Sequence, residues 1–454
     1  MTLPDPVRQW AEARPDAPAL VGAANWTWAE LDARVGAAAA VLAEGPERVA
    51  VRAETSPALA VLVLAALRAR RLVVPLSTRW TTGAVADALR RLDVDQLVTN
   101  GDGDFGIDTV QLAGVTGGPA ASGPAPTLDG RQPWTVVHTS GSTGRPKAVV
   151  HTVDNHVWSA RGVNERLGLS EGDRWLLDLP LYHVGGLGVV VRCVLAGATV
   201  AIPPAGLPAR DHVAALQPTH ASFVATQLRR LLDAGADLSG LRAVLLGGSA
   251  VPADLLDRAL RQRVPVSVSY GMTEATATIT ATEPGDASGT SGRPLPHREV
   301  RISAAGEIEI GGTTVAAVLD GDGVRPLGPW HATGDLGRLD AQGRLVVMGR
   351  ADLQFVSGGE NVRPEPIEAA LLALDGVAET VVVPVSDAEW GARPVAWVRL
   401  VDGARLDPAA LADALRQSLP GFMVPAAFHE WAGAGGLKPD RPALTREAER
   451  RAAG

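Results

Sequence analysis

The sequence predicts an α/β protein: a large N-terminal domain of mostly parallel β/α subdomains plus a β-rich subdomain, hinged to a small C-terminal α+β domain. Two patterns carry that expectation. Short Val-rich apolar runs alternate with Ala- and Leu-rich helical patterns through most of the chain. This rhythm suits parallel strands covered by helices. Near Gly349-Arg350-Ala351-Asp352 the texture changes, from a β-rich stretch between Val300 and Met348 to a compact unit. That unit has about a hundred residues, an ordinary domain size.

In chain order, Trp28 to Leu42 reads as a helix, Val49-Ala50-Val51 as a strand, Ala58 to Ala69 as a helix and Leu72 to Leu76 as a buried strand. Gly114 to Pro126 is rich in Gly, Ala, Ser and Pro. It reads as an exposed connector, because the strand pattern resumes at Trp134. Beyond the boundary come a helix (Pro364 to Leu374), strands (Thr380 to Val385 and Pro394 to Leu400) and a helix (Pro408 to Leu419). The expected division is residues 1–350 and residues 351–454.

Composition excludes several classes of function. Hydrophobic residues make up 46% of the 454, enough for a sizeable core. A formal net charge of −8 argues against a nucleic-acid footprint, which needs clustered Lys and Arg. The single cysteine, Cys193, lies in an apolar run and reads as a buried structural thiol, with no disulfide to form. Met1 to Trp10 carries Asp, Pro and Arg with no apolar h-region, so no signal peptide is expected. The longest apolar stretches, such as Ala58 to Leu67, are too short to span a bilayer. The expectation is a cytoplasmic protein with no integral membrane segment; composition leaves a homo-oligomer open.

The chemistry begins at Thr139-Ser140-Gly141-Ser142-Thr143-Gly144-Arg145-Pro146-Lys147. Glycine lets backbone approach a ligand closely. Successive N–H groups and hydroxyls can wrap phosphate oxygens, and Lys147 supplies a point charge. Both flanks, Trp134 to His138 and Ala148 to His151, read as strand, so the loop caps a hairpin. It is not a Walker A loop, since Pro146 precedes the lysine where a helix would have to start.

This loop resembles the signature of the acyl-adenylate-forming superfamily of acyl-CoA ligases, luciferases and peptide-synthetase adenylation domains, and further matching segments follow in order. Tyr270-Gly271-Met272-Thr273-Glu274 resembles its nucleotide-site segment, and Thr333-Gly334-Asp335-Leu336 its ribose-binding turn. Gly349-Arg350-Ala351-Asp352 resembles its hinge, Ser357-Gly358-Gly359-Glu360-Asn361 the loop opening its C-terminal domain, and Lys438 its late catalytic lysine. The resemblance implies ATP, Mg²⁺ and coenzyme A as cofactors and a small carboxylic acid as substrate. Thr139 to Gly144, Lys147, Gly248 and Tyr270 to Thr273 would bind nucleotide; Glu274, a hard carboxylate, would bind Mg²⁺. Asp335 can accept both ribose hydroxyls, with Arg350 beside it. Asp352 would be the pivot, a position that absorbs large φ/ψ changes. Lys438, after the glycine-rich stretch Gly433 to Gly436, would offset the repulsion between carboxylate and α-phosphate. Gly358 and Gly359 would line the path of coenzyme A.

Pro180-Leu181-Tyr182-His183-Val184-Gly185-Gly186-Leu187 resembles the acyl-pocket segment. With Thr219 to Leu232, Trp158 and Arg192, it is most similar to the o-succinylbenzoate–CoA ligase branch of menaquinone synthesis. His183, Gly185, Thr226 and Gln227 would then face the acid, with His183 also near the thioester-forming chemistry. Arg192 and Arg229 read as structural or surface pairs, with service to a second substrate carboxylate as the other reading. Ala148 and Ala225 depart from the Gly and Pro of many relatives, and Leu437 departs from the common Gly before the late lysine. A CoA ligase for another aromatic or medium-chain acid, or a stand-alone adenylation domain loading a carrier protein, stays open at this point.

Overall fold

The computed structural model describes residues 1–101, 105–116, 127–139, 147–320, 323–401, 403–432 and 439–453. Its two largest sheets have eight and nine strands. In the first, strands Arg48–Arg52, Leu72–Pro75, Gln96–Thr99 and Asp108–Gln111 run parallel, and Pro133–Thr139 joins them parallel to Leu72–Pro75. In the second, Pro18–Gly22, Thr199–Ile202, Arg174–Leu176, His220–Phe223, Ala243–Leu246 and Val266–Met272 are parallel neighbours.

Strand alternation decides how the sheets stack. Val49, Val51 and Val73 pack into the same core cluster as Leu20, Trp175 and Leu245 of the other sheet. Helices Trp28–Ala43, Pro57–Arg68, Val153–Leu167 and Val184–Ala196 fill the space between. Ala50 and Val74 point the other way, onto Thr82–Arg91. Leu176, Phe223, Val244 and Val268 point onto Ala225–Asp233 and Ala253–Arg261. The result is helix, sheet, helix, sheet, helix, with both faces of each sheet buried, as Val-rich parallel strands require. Pro57–Arg68 lies in the shared layer and is apolar on every side, nine of its side chains being buried.

A four-stranded antiparallel sheet follows at Arg298–Ile302, Glu307–Gly312, Trp330–Leu339 and Leu345–Arg350. Beyond residue 350 a separate sheet, centred on Val377–Asp387 and Gly391–Leu400, buries one face against Pro364–Leu372 and Pro408–Arg416. Its other face packs on Arg441–Ala453, a helix the sequence reading had not assigned. The Gly114 to Pro126 connector needs one correction. Leu112–Thr116 is a short helix with Val115 buried, because Leu112 and Val115 reach the main core; residues 117–126 lie outside the described residues. Cys193 is buried, and burial pushes its thiol up to about 12. Among the described residues no helix is long and apolar enough to cross a membrane.

Candidate active site

Arg174–Leu176, His220–Phe223, Ala243–Leu246 and Val266–Met272 are adjacent and parallel, so their carboxyl ends share one sheet edge. Open α/β sheets bind ligands at such edges. Four expected segments gather there. Residues 177–183 end at His183, an exposed residue that starts helix Val184–Ala196, its ring 4.8 Å from that of Tyr182. Gly185 lies one residue inside the same helix. Thr226 is exposed on the first turn of Ala225–Asp233, where the Gln227 carboxamide oxygen accepts the Val224 N–H at 3.0 Å. Gly248 follows the third strand, and Tyr270 to Glu274 close the fourth.

The turn after Glu274 is strained and heavily anchored. Thr276 and Ala277 have φ of +53° and +80°. Such non-glycine conformations cost on the order of 1–3 kcal/mol each and persist where surroundings over-determine them. The Glu274 carbonyl accepts from Ala316 N–H at 2.8 Å, the Thr276 hydroxyl donates to Thr314 O at 2.8 Å, and the Ser159 hydroxyl donates to Thr276 O. A Cβ at Gly271 would run into the Ala277 carbonyl, so close backbone crossing explains that glycine. The Glu274 side chain is only 9% exposed and has no hydrogen bond or ion pair to another described residue. A carboxylate largely withdrawn from water, with no hydrogen bond or ion pair to another described residue, suits a hard cation. Among the described residues no cluster of three or more potential ligands surrounds it. A single carboxylate suits Mg²⁺, which is commonly held by one or two carboxylates with water and phosphate oxygens around it.

The hairpin that flanks residues 140–146 is formed as expected. Pro133–Thr139 and Lys147–Thr152 pair antiparallel, with Thr139 opposite Lys147 and the Lys147 side chain exposed. Ser140 to Gly144, expected to bind phosphate, fall outside the described residues, as does Lys438.

Asp335 and Arg350 are cross-strand partners. The Tyr270 hydroxyl donates to Asp335 Oδ2 at 2.6 Å and Arg350 Nη1 to Oδ1 at 3.3 Å. A carboxylate has about four lone-pair sites, so both oxygens keep capacity for ribose hydroxyls. Burial, then the Asp335 charge, raises the Tyr270 phenol above its ordinary value. Arg350 also grips Asp352 with two 2.9 Å bonds. That contact holds the Asp352 carboxyl below its usual range and raises the Arg350 guanidinium. Gly358 and Gly359, with φ of +59° and +87°, form the two-residue turn between Phe355–Ser357 and Glu360–Val362. Such turns demand positive φ at both positions.

Three features escaped sequence reasoning. His331 senses the charges of Glu274, Lys147 and Glu307, and burial lowers its pKa; no motif marks it. His156, Thr135, His151 and Thr273 form a buried hydrogen-bonded chain. Burial lowers His151 to about 4 and His156 well below its ordinary value. Finally, Arg192 is not at the surface and has no salt bridge among the described residues. It is 2% exposed, its Nε and Nη1 have no hydrogen-bond partner, and its guanidinium lies over Trp175 at 4.7 Å and against Gly188. Burial lowers its pKa to about 10. Arg229 does pair, with Asp254 at 3.1 Å.

A hairpin with an exposed lysine at its end, a carboxylate without a partner among the described residues and a tyrosine–aspartate–arginine cluster are features that suit a nucleotide-dependent enzyme. The chain belongs to the AMP-binding enzyme family, whose main domain matches residues 7–317 and whose C-terminal domain matches residues 366–433. A 2-succinylbenzoate–CoA ligase of Salmonella typhimurium is 36% identical over 98% of both chains, and that of Escherichia coli is 36% identical over 86% of each. A variant of E. coli MenE with bound OSB-AMS superposes with a TM-score of 0.88, 31% identity and 98% coverage of both chains. Bacillus subtilis o-succinylbenzoate CoA synthetase (MenE), in complex with the acyl-adenylate intermediate OSB-AMP, does so with a TM-score of 0.88, 27% identity and coverage of 99% and 98%.

Proposed function

We propose that the protein is an ATP-dependent 2-succinylbenzoate–CoA ligase of menaquinone biosynthesis, acting in the cytoplasm, where ATP and CoA are supplied. The observation that carries the substrate reading is Arg192: a buried guanidinium without a counter-ion among the described residues, in a chain 36% identical to such a ligase over 98% of both. 2-Succinylbenzoate has two carboxylates. One reacts, and the other supplies the missing anion. A cation–π contact gives about 2 kcal/mol when desolvated, less than the several kcal/mol that burying a charge costs. A substrate carboxylate closes that gap.

In the first half-reaction a substrate carboxylate oxygen attacks the α-phosphorus of ATP and the bond to pyrophosphate breaks, giving acyl-AMP. Lys147 and the hydroxyl and glycine residues 139–144 hold the phosphates. Tyr270 to Thr273 and Gly248 bound the nucleotide. Asp335 accepts the ribose hydroxyls with Arg350 beside it. Glu274 would hold Mg²⁺, which neutralises phosphate charge. Lys438 offsets charge between carboxylate and α-phosphate. His183, Gly185, Thr226 and Gln227 face the acid. In the second half-reaction the CoA thiol gives up its proton to solvent, its sulfur attacks the acyl carbon, and AMP leaves with the bonding pair. Residues 351–454 turn about Asp352 between the two steps, and Gly358-Gly359 border the CoA path. ATP–pyrophosphate exchange across a panel of aromatic mono- and dicarboxylic acids tests the reading. Exchange is expected with 2-succinylbenzoate and weakly or not at all with benzoate; equal exchange with both would overturn the substrate assignment.

A further inference from the structure

We infer that His151 is a positioning residue that holds Glu274 in register with the phosphate-binding hairpin, through the buried chain His156–Thr135–His151–Thr273. The inference rests on the reading of Lys147 and Glu274 as parts of one Mg·ATP site.

The protons in this chain have one consistent arrangement for neutral imidazoles. Thr273 O can only accept, so His151 Nε2 carries a proton and donates to it at 2.7 Å. His151 Nδ1 is then the acceptor for the Thr135 hydroxyl at 3.1 Å. The same hydroxyl oxygen accepts from His156 Nε2 at 2.9 Å. Trp134 edges the His156 ring at 4.8 Å and donates its own N–H to Val63 O at 3.1 Å, so the far end is fixed in the core.

Placement gives the chain its purpose. Thr135 and His151 face each other across the hairpin that carries Thr139 and Lys147 at its mouth. Thr273 belongs to the turn of the other large sheet, next to Glu274. The remaining anchors of that turn come from Ala316, Thr314 and Ser159, none of them on the hairpin. Only the His151 bond, among the described residues, ties the turn directly to the hairpin strands. The Ala316 bond reaches the same hairpin one step removed, through strand Ala317–Asp320, which pairs with Lys147–Thr152; the His151 bond adds the direct brace that holds the Thr273–Glu274 turn against the strand carrying Lys147. A group that orients a metal ligand without touching the metal governs metal affinity more than nucleotide affinity.

The test compares full-length protein with His151→Leu and His151→Gln. Calorimetry reads the binding of ATP with Mg²⁺ and of ATP with EDTA, and a melting curve accompanies each variant. His151→Leu should weaken Mg·ATP about ten-fold or more and metal-free ATP by a clearly smaller factor. His151→Gln, which keeps an N–H donor, should recover much of the loss. If the leucine variant does not fold, Thr135→Val is measured in its place, with a smaller loss of the same selectivity expected. Equal losses for both forms of ATP, or unchanged Mg·ATP binding in a folded variant, would overturn the inference. Parent protein that binds ATP no better with Mg²⁺ than without would instead overturn the assignment of the nucleotide site.

Discussion

Arg192 lies over the face of Trp175 and against Gly188, and its Nε and Nη1 have no hydrogen-bond partner among the described residues. Replacing buried charge with an apolar side chain of similar volume is often neutral or stabilising, by about 1–4 kcal/mol. Arg192→Met should therefore keep or raise Tm while raising KM for 2-succinylbenzoate about 10- to 100-fold, the scale of a lost charge-assisted hydrogen bond. A drop in Tm with unchanged KM would make Arg192 a structural residue. The buried histidines act on stability through protons. Burial holds His138 and His151 at about 4, against 6.5 on an unfolded chain. Between those values the unfolded state binds more protons, so stability rises with pH across the window and falls as pH drops from 6.5 toward 4. Each contributes on the order of 3 kcal/mol at most. Urea midpoints measured from about pH 7 to about pH 4.5 should fall, and less steeply in His151→Gln. The sequence offered Arg192 as a structural or surface pair with service to a second substrate carboxylate as the other reading, and His151 only as a strand residue; what it could not show was the burial and the missing partners, which are properties of the folded surroundings.

The hairpin at Phe355–Ser357 and Glu360–Val362 shows what an element adds to a motif. The resemblance offered Gly358-Gly359 as lining of the CoA path, and positive φ at both shows that they also form a tight turn. A Cβ on Gly358 would strike the Trp390 ring, whereas nothing lies within 4 Å of a Cβ on Gly359. Asn tolerates left-handed backbone far better than Leu. Gly359→Asn should leave Tm and pyrophosphate exchange near parent values while slowing thioester formation. Full thioester synthesis in that variant would remove these glycines from the CoA path. Elsewhere, elements were legible where periodicity was strong. Trp28–Ala43, Pro57–Arg68 and the hairpin flanking the phosphate loop lie where apolar spacing put them. Arg441–Ala453 was missed because its apolar contacts with the sheet are few, Leu444 and Ala448 among them, in a segment otherwise full of charge.

At the scale of the whole molecule, the site is assembled from distant segments: the hairpin of one sheet, the strand ends of the other, and the Asp335–Arg350–Asp352 junction. Motif order announced this assembly through resemblance, but no spacing along the chain reveals which sheet carries which segment. The Arg350–Asp352 grip must loosen if residues 351–454 turn between steps. Asp352→Pro fixes φ and should split the two half-reactions, one surviving and the other lost; equal small losses in both would remove the pivot. Lys438→Ala should slow adenylation by roughly 10²–10³ while leaving thioester formation from supplied acyl-adenylate; normal adenylation would reassign the lysine. Lys147 stands exposed at the mouth of the hairpin, and Lys438 is the one other lysine in the sequence, every further cationic side chain being arginine or histidine. Reductive methylation with isotopically labelled formaldehyde would thus mark only the N-terminus and two ammonium groups, turning a 454-residue protein into a nearly silent background for a few spectroscopic signals.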